Sequence, residues 1–222
     1  MPDIPQPLKS PRLVLQTEAP PPKIYAFLPN RATLGATAYL IQDGQGNCLV
    51  DCPAWDEATQ HFLHCQGGVR WLFITHRGAI DQVTAIQQAF GCTVIIQEQE
   101  AYLLPGLEVA IFQDEWPFAP PYRAIWTPGH SPGSACLYYA YLGGVLFSGR
   151  HLLPHPDGQT RPLRSAKTFH WGRQLQSVER LRACFNRETL QFICPGANTG
   201  FLRGQYAVKD AYKYLNMKNY LV

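Results

Sequence analysis

The 222-residue sequence lacks the features of several specialised protein classes. Charged residues make up only 16% of it and the formal net charge is +3, without a run of lysine or arginine, so nucleic-acid binding is not indicated. The longest apolar stretch, residues 136–147, is too short to span a membrane and contains a Gly143-Gly144 turn, so it predicts a hairpin and no membrane association. The N-terminus has no secretory signal pattern, which predicts a cytoplasmic protein.

The cysteines are not spaced as in a disulfide-bonded or zinc-binding protein. The sequence contains seven cysteines, an odd number, and no two of them form a CxxC pair. No Cys/His spacing typical of a zinc site occurs either. We therefore expect buried, reduced thiols.

The sequence does contain enough apolar residues for a compact domain, at 46% of the total. Seven prolines fall within residues 1–22, which predicts a Pro-rich N-terminal arm outside the core. Residues 23–222 are then expected to form the folded domain.

The hydrophobic pattern predicts short strands interspersed with helices. A hairpin is predicted over residues 36–51, followed by a helix at 56–65 and a buried strand at 71–75. A second helix is predicted to stop at Gly91 before a strand at 94–96, which implies parallel pairing. Further strands are predicted at 107–112, 124–127, 135–140, 145–148 and 191–194, with helices near 175–185 and 206–215. Two groups of strands with helices between and after them suggest two packed sheets covered by helices.

Five loop segments, in order, resemble those of the metallo-β-lactamase superfamily. They are residues 37–53, the Phe73-Ile-Thr-His76 segment, the Trp126-Thr-Pro-Gly-His130-Ser-Pro-Gly133 segment, residues 146–154, and Ile193-Cys-Pro-Gly196. The third matches the family's corresponding ligand loop almost letter for letter. The resemblance implies an α+β protein with the four-layer αββα metallo-β-lactamase sandwich.

In the family, these loops hold two metal ions, usually zinc, and the resemblance locates the seven ligand positions here. They are occupied by His76, Gly78, Ile80, Asp81, His130, Arg150 and Ala197. Gly, Ile and Ala offer no side-chain lone pair, and arginine has donors only. We therefore expect a degenerate site with no dinuclear centre and no cofactor. The alternative is a single zinc or other divalent ion on His76, Asp81 and His130.

The candidate site residues lie on these loops. His76, Asp81 and His130 are the candidate catalytic residues, and His76, His130, Arg150 and Asn198 are the candidate ligand-binding residues. Arg150 is expected to point toward the former metal pocket and to pair there with Asp81 or Asp51. Thr199 and Arg203 are further polar candidates on the cleft rim. The remaining histidines of this region, His151, His155 and His170, are interpreted as surface or packing residues.

Two functions remain open at this stage. One is a metallo-β-lactamase-fold protein that acts as a ligand-binding or regulatory module, a pseudoenzyme whose partner is a small anionic ligand or a protein. The other is an active hydrolase of an ester, thioester or phosphodiester that uses a single metal or metal-free histidine and aspartate chemistry.

Overall fold

The computed structural model describes residues 10–18 and 22–215, and their strands form two large sheets. The first sheet has the strand order β1-β2-β3-β4-β5-β6-β7. Its strands are Arg12–Gln16, Lys23–Ala26, Tyr39–Gln42, Cys48–Val50, Trp71–Phe73, Thr93–Gln97 and Val109–Phe112. The second sheet has the order β15-β14-β11-β10-β9-β8. Strands β8 to β11, β14 and β15 are Glu115–Ala119, Tyr122–Trp126, Ala135–Tyr139, Val145–Gly149, Phe192–Pro195 and Val208–Lys209.

Helices cover both outer faces of the two sheets. The α-helices α1 to α5 are Glu57–Cys65, Val83–Phe90, Glu98–Ala101, Trp171–Cys184 and Ala211–Leu215. Two short 3₁₀ helices, Arg77–Ala79 and Thr199–Leu202, and a small hairpin of β12 (Leu153–Pro154) and β13 (Thr160–Arg161) complete the described elements. Within the described ranges, no helix has the length and apolar composition needed to cross a bilayer.

The apolar side chains divide into three buried layers, as an αββα sandwich requires. Strand β3 shows how the pleat achieves this: Tyr39 and Ile41 pack between the two sheets, while Leu40 faces the layer that includes Leu63 of α1 and Ile86 of α2. In the second sheet, Phe147 faces the central layer. A third cluster packs that sheet against α4 and α5. The predicted four-layer α+β architecture is therefore confirmed.

The predicted strand-helix-strand order is also observed in detail. Strands β4, β5, β6 and β7 pair in parallel, with α1 and α2 in the crossovers. Helix α1 begins after Asp56, whose side chain accepts a 2.8 Å hydrogen bond from the Thr59 amide. Helix α2 ends at Gly91 in the left-handed conformation, with φ 61°, as a C′ glycine does.

Two regions differ from their predicted structure. Residues Arg12–Gln16, within the expected arm, form β1 and pair antiparallel with β2, because the run between Pro11 and Pro20 has no proline to interrupt the ladder. Val14 and Leu15 of this strand pack partly against the central core. The rest of the arm prediction, over residues 1–9 and 19–21, lies outside the described residues. Near the C-terminus, the predicted helix over 206–215 contains β15 and only the short helix α5.

The cysteine prediction is consistent with the thiols found here. All seven cysteines are free of disulfides, and five of them are buried, three in strands and two in loops. Cys65 and Cys184 are exposed.

Candidate functional site at the loop edge

Loops that follow strands of both sheets meet at one edge of the sandwich. The Ala135 amide of β10 donates to the Thr75 carbonyl at 2.8 Å, which ties the second sheet to the loop after β5. The Thr37 amide donates to the Gly196 carbonyl at 2.9 Å, and the Gly196 amide donates to the Gly149 carbonyl at 2.8 Å. These backbone bonds fix the loops that carry the candidate residues, and we call this region the loop edge.

Gly149 allows the end of β11 to lie directly against the loop after β5. A Cβ at this position would lie 2.4 Å from Thr75 Oγ1, and its φ of 51° is in the left-handed region. A larger residue would therefore push the two loops apart. The close approach brings Arg150 to the loop that carries His76.

His76 and His130 lie side by side at the loop edge, and we refer to them as the histidine pair. Their ring centroids are 5.2 Å apart with an interplanar angle of 74°. His76 is 2% exposed, and its Nε2 has no hydrogen-bond partner among the described residues. The expected convergence of these two loops is therefore observed, although the roles assigned to the side chains stay predictions.

A hydrogen-bonded chain runs from Asp51 through Thr75 to His76. The Thr75 amide donates to Asp51 Oδ1 at 2.8 Å, and the Thr75 hydroxyl donates to Asp51 Oδ2 at 2.8 Å. Thr75 Oγ1 is also 2.9 Å from His76 Nδ1. Since a hydroxyl has one proton, His76 Nδ1 must carry a proton and donate it to Thr75 when Asp51 is ionised. The unpartnered Nε2 of His76 is then an acceptor.

Burial sets the protonation states of these groups. Burial, and then the charges of His130 and Arg150, hold the pKa of His76 well below its ordinary value. Burial and the neighbouring cations Arg150, Lys167 and Arg77 lower the pKa of His130 to about 4. Burial raises the pKa of Asp51 to about 7, although hydrogen bonds from Thr75 and the charge of Arg150 act in the opposite direction. At neutral pH both imidazoles are therefore uncharged and Asp51 is near its midpoint.

Arg150 is anchored by backbone carbonyls. Its Nη2 donates to the Leu34 carbonyl at 2.8 Å and to the Thr33 carbonyl at 3.4 Å. Asp51 acts on Arg150 through its charge, but no direct ion pair of Arg150 occurs among residues 10–18 and 22–215. The expected ion pair with Asp51 or Asp81 is thus replaced by contacts with a neutral loop and a longer-range interaction with Asp51.

Asp81 and Asn198 make no described contact with the histidine pair. Asp81 Oδ2 accepts a 3.2 Å hydrogen bond from Asn30, whose amide also donates to the Cys52 carbonyl at 3.3 Å. Asn198 is exposed with φ 57° and precedes the 3₁₀ helix Thr199–Leu202. The structure therefore places His76 beside His130, with Arg150 near enough for its charge to act on both, but it joins Asp81 to a neighbouring loop instead.

The other two candidates, Thr199 and Arg203, lie at the two ends of the 3₁₀ helix beside the loop edge. The Thr199 hydroxyl is hydrogen bonded to that of Thr37 at 3.0 Å, and both residues are buried. Arg203 is exposed and ends the same 3₁₀ helix with φ 50°. Thr199 therefore ties two loops together.

Two buried polar residues near the site were not assigned to it from the sequence, although His151 was interpreted as a surface or packing residue. His151 is 1% exposed, and neither ring nitrogen has a hydrogen-bond partner among the described residues. Burial, and then the charge of His130, lower its pKa to about 3. Glu100 is fully buried, and its Oε1 accepts bonds from the Gly133 amide and from Arg77, each at 3.2 Å. The only sequence signal for His151 was its position next to Arg150, and the sequence contained no signal for Glu100.

Comparison with known proteins agrees with this architecture. The model of the metallo-beta-lactamase superfamily matches residues 89–190, which include His130 and Arg150. No curated protein matches the chain.

Solved structures with the same fold are numerous but distant in sequence. TTHA1623 in a di-iron-bound form has a TM-score of 0.64 and 18% identity, covering 81% of this chain and 92% of that one. An N-acyl homoserine lactone hydrolase with its product at the catalytic metal center has a TM-score of 0.55 and 17% identity, over 80% and 84%. A superfamily protein of the archaeon Sulfolobus tokodaii has a TM-score of 0.60 and 13% identity, over 91% and 88%.

These neighbours overturn one expectation from the sequence. The expectation that no cofactor is present, with a single ion only as an alternative, is contradicted because proteins of this fold include a di-iron-bound form and a hydrolase with a catalytic metal center. Metals are therefore characteristic of those neighbours, and the expectation was too strong because it was drawn from ligand counting alone.

The donor set at the loop edge nevertheless does not fit a two-metal centre. Gly78 and Ala197 supply no side-chain lone pair, and Arg150 supplies only donors. Across the described ranges, no group of three or more His, Cys, Asp or Glu residues is arranged to hold a metal ion. The matched segment, the two-sheet architecture and the convergent loops together identify this chain as a protein of the metallo-β-lactamase fold.

Proposed function

We propose that this protein binds a small anionic ligand at the loop edge, between the histidine pair and Arg150. The observation that carries the proposal is the position of Arg150: the preceding Gly149 lies against Thr75, the neighbour of His76, and the charge of Arg150 acts on both histidines of the pair. Its guanidinium is partly buried, and its described hydrogen bonds use only Nη2. A guanidinium has five N–H donors, so most of its donors remain for a ligand.

The charge of Arg150 is incompletely balanced by its surroundings. Its hydrogen-bond acceptors are the neutral carbonyls of Leu34 and Thr33. The nearby carboxyl is Asp51, whose pKa of about 7 leaves it only partly ionised at neutral pH. A partly buried cation without a full counter-charge favours binding of an anion.

The histidine pair supplies a second set of polar contacts. When Asp51 is protonated, its hydroxyl can donate to Thr75, Thr75 can donate to His76 Nδ1, and His76 then carries its proton on Nε2. In that state Nε2 is a donor that faces no described protein acceptor. A bound anion would accept this hydrogen bond, so anion binding should be coupled to proton uptake.

Substitution of Arg150 by glutamine should weaken anion binding by roughly 10- to 100-fold, the effect of losing one charge-assisted contact. Isothermal titration calorimetry of the full chain with benzoate, phenyl sulfate and phenyl phosphate measures this directly. The titrations are done after chelator treatment and again with Zn²⁺ or Fe²⁺ supplied, so that a contribution of metal is measured separately.

The matched control for this experiment is Arg187→Gln. Arg187 is exposed beyond the C-terminal end of α4, whereas α4 begins next to the His130 loop, where the His170 amide donates to the Gly129 carbonyl. The control removes the same charge far from the loop edge and should leave the affinity unchanged. Equal affinities for wild type and Arg150→Gln would refute the proposed role of the loop edge.

A second candidate function, hydrolysis of an ester, thioester or phosphodiester, is favoured by the chain from Asp51 to His76. An uncharged His76 with a free Nε2 lone pair can accept a proton from water. Its Nδ1 proton can then pass to Thr75, whose own proton passes to Asp51. Arg150 is close enough to influence both groups and can stabilise negative charge on the substrate.

The pair of variants Thr75→Val and Thr75→Ser tests this second candidate. Valine removes the hydroxyl that joins Asp51 to His76 and should lower kcat by about 100-fold or more, whereas serine keeps the hydroxyl and should retain most of the activity. Turnover is measured with a lactone, a thioester and a phosphodiester, and circular dichroism verifies folding. Equal kcat values for the two variants would exclude the relay, and no turnover by the wild type would leave anion binding as the function.

A further inference from the structure

Two more cations, which the sequence did not identify as site residues, act on His130 through their charge. One is Lys167, on a turn in which the Thr168 amide donates to the Ser165 carbonyl at 3.0 Å. The turn is held to the His130 loop because the Phe169 amide donates to the His130 carbonyl at 3.0 Å. Lys167 is exposed two residues before this contact, so its ammonium group is free to reach a ligand beside His130.

The other cation is Arg77, which directly follows His76. Its Nε donates to Glu100 Oε1 at 3.2 Å, and the same oxygen accepts the Gly133 amide, three residues beyond His130. Glu100 therefore fastens Arg77 to the loop of the other histidine. The bond uses Nε, and the Arg77 side chain is 43% exposed, so no described hydrogen bond occupies the two terminal nitrogens of its guanidinium fork.

Among the described residues, neither Arg150 nor Lys167 forms an ion pair with a carboxylate, and the nearby Asp51 is hydrogen bonded to Thr75. Glu100 is engaged by Arg77, and Asp81 is held by Asn30. In agreement with this placement, all three cations contribute to the lowered pKa of His130, after burial. An anion at the histidine pair would thus meet positive charge from three different loops.

We propose that Arg77 and Lys167, together with Arg150, make the loop edge a site for a dianionic ligand of the phosphomonoester type. The inference rests on the proposed anion-binding function and specifies its ligand class. A phosphomonoester has three acceptor oxygens and carries close to two negative charges above pH 7. These oxygens can accept hydrogen bonds from the guanidinium groups of Arg77 and Arg150 and from the ammonium group of Lys167.

The test compares two ligands of the same shape and different charge. At pH 8, phenyl phosphate is a dianion and phenyl sulfate is a monoanion. Calorimetry with the full-length wild type should show at least 10-fold tighter binding of phenyl phosphate. Lys167→Gln and Arg77→Gln should each reduce this preference at least threefold, whereas Arg150→Gln should weaken both ligands and Arg187→Gln neither.

The two variants differ in how strongly they can disturb folding, so a loss of binding caused by misfolding can be recognised. Arg77→Gln leaves the buried Glu100 without its cation, so Arg77→Lys, which keeps the charge but loses the fork, is included. Lys167 is exposed, and its substitution should not disturb folding.

Each outcome of the calorimetry supports or overturns a separate statement. Equal wild-type affinities for the two ligands would overturn the dianion inference and leave the anion-binding function standing. A preference that persists in both Lys167→Gln and Arg77→Gln would overturn the role of these two side chains. No binding of either ligand by the wild type would overturn the anion-binding function itself.

Discussion

Replacing Gly129 by alanine should destabilise this protein by roughly 3 to 6 kcal/mol, the sum expected for a backbone overlap and an unfavourable φ. A Cβ at Gly129 would lie 2.3 Å from the Gln174 Cα and 2.5 Å from its amide nitrogen, and the φ of Gly129 is 148°. Because these atoms belong to the first turn of α4, they cannot move as the end of a flexible side chain could. The corresponding fall in Tm is roughly 10 to 20 °C for a chain of this size.

A control substitution at Gly106 separates the effect of the steric overlap from the effect of the backbone strain. Gly106 also has positive φ, 77°, but a Cβ there would meet no heavy atom within 4 Å. Gly106→Ala should therefore cost only about 1 to 2 kcal/mol, the strain of a left-handed residue. Thermal unfolding followed by circular dichroism measures both variants. Similar Tm values for the two would show that α4 and the His130 loop are not in the close contact described here.

Acidification from pH 6.5 to pH 5 should destabilise the protein, because His151 and His76 are buried without charge. For His151, whose folded pKa is about 3, the penalty at pH 5 is about 2 kcal/mol relative to a histidine that titrates normally when unfolded. The sign follows from proton binding: the unfolded state takes up protons below its pKa of about 6.5, while the folded state does not. His76, with its pKa well below the ordinary value, adds an effect of the same sign.

Asp51 acts in the opposite direction over part of the same pH range. Its folded pKa of about 7 lies above the ordinary value of 3.8, so the folded state binds this proton more tightly and gains stability as the pH falls through 7. Two buried histidines and the partly buried His130, with its pKa of about 4, oppose one aspartate. The net result between pH 6.5 and pH 5 is therefore a loss of stability.

The variant His151→Leu tests the assignment of this acid sensitivity. Leucine has a similar volume, and no hydrogen bond of the ring would be lost because neither nitrogen has a described partner. The free energy of unfolding, measured by urea denaturation at pH 6.5 and at pH 5, should change less in the variant than in the wild type, by roughly 1 to 2 kcal/mol, since a small part of the penalty is already present at pH 6.5. His61→Leu removes an exposed imidazole of α1 and serves as the control. An unchanged pH dependence in His151→Leu would show that His151 is not the source.

The location of the site was predictable, because loops at the ends of strands gather where the strands share a direction. Strands β4 and β5 are parallel to each other, as are β11 and β14, so Asp51, His76, Arg150 and Ala197 all follow strand ends at one edge. The side-chain partners were not predictable. Arg150 was expected to meet a carboxylate, but it meets the Leu34 carbonyl, because the loop over residues 30–36 folds across the edge.

The sequence alone predicted the order of most elements, because hydrophobic periodicity is a local property. Its resemblance to the superfamily implied the ligand positions that carry Gly78, Arg150 and Ala197, whose side chains are poor metal ligands. Only the tertiary structure decided protonation and charge balance. The neutral state of His76, the midpoint of Asp51 near pH 7, and the approach of Arg77 and Lys167 to His130 arise from burial and from contacts across many residues. Desolvation and Coulomb energies depend on distances between groups in space, and these distances cannot be read from the spacing of residues along the sequence.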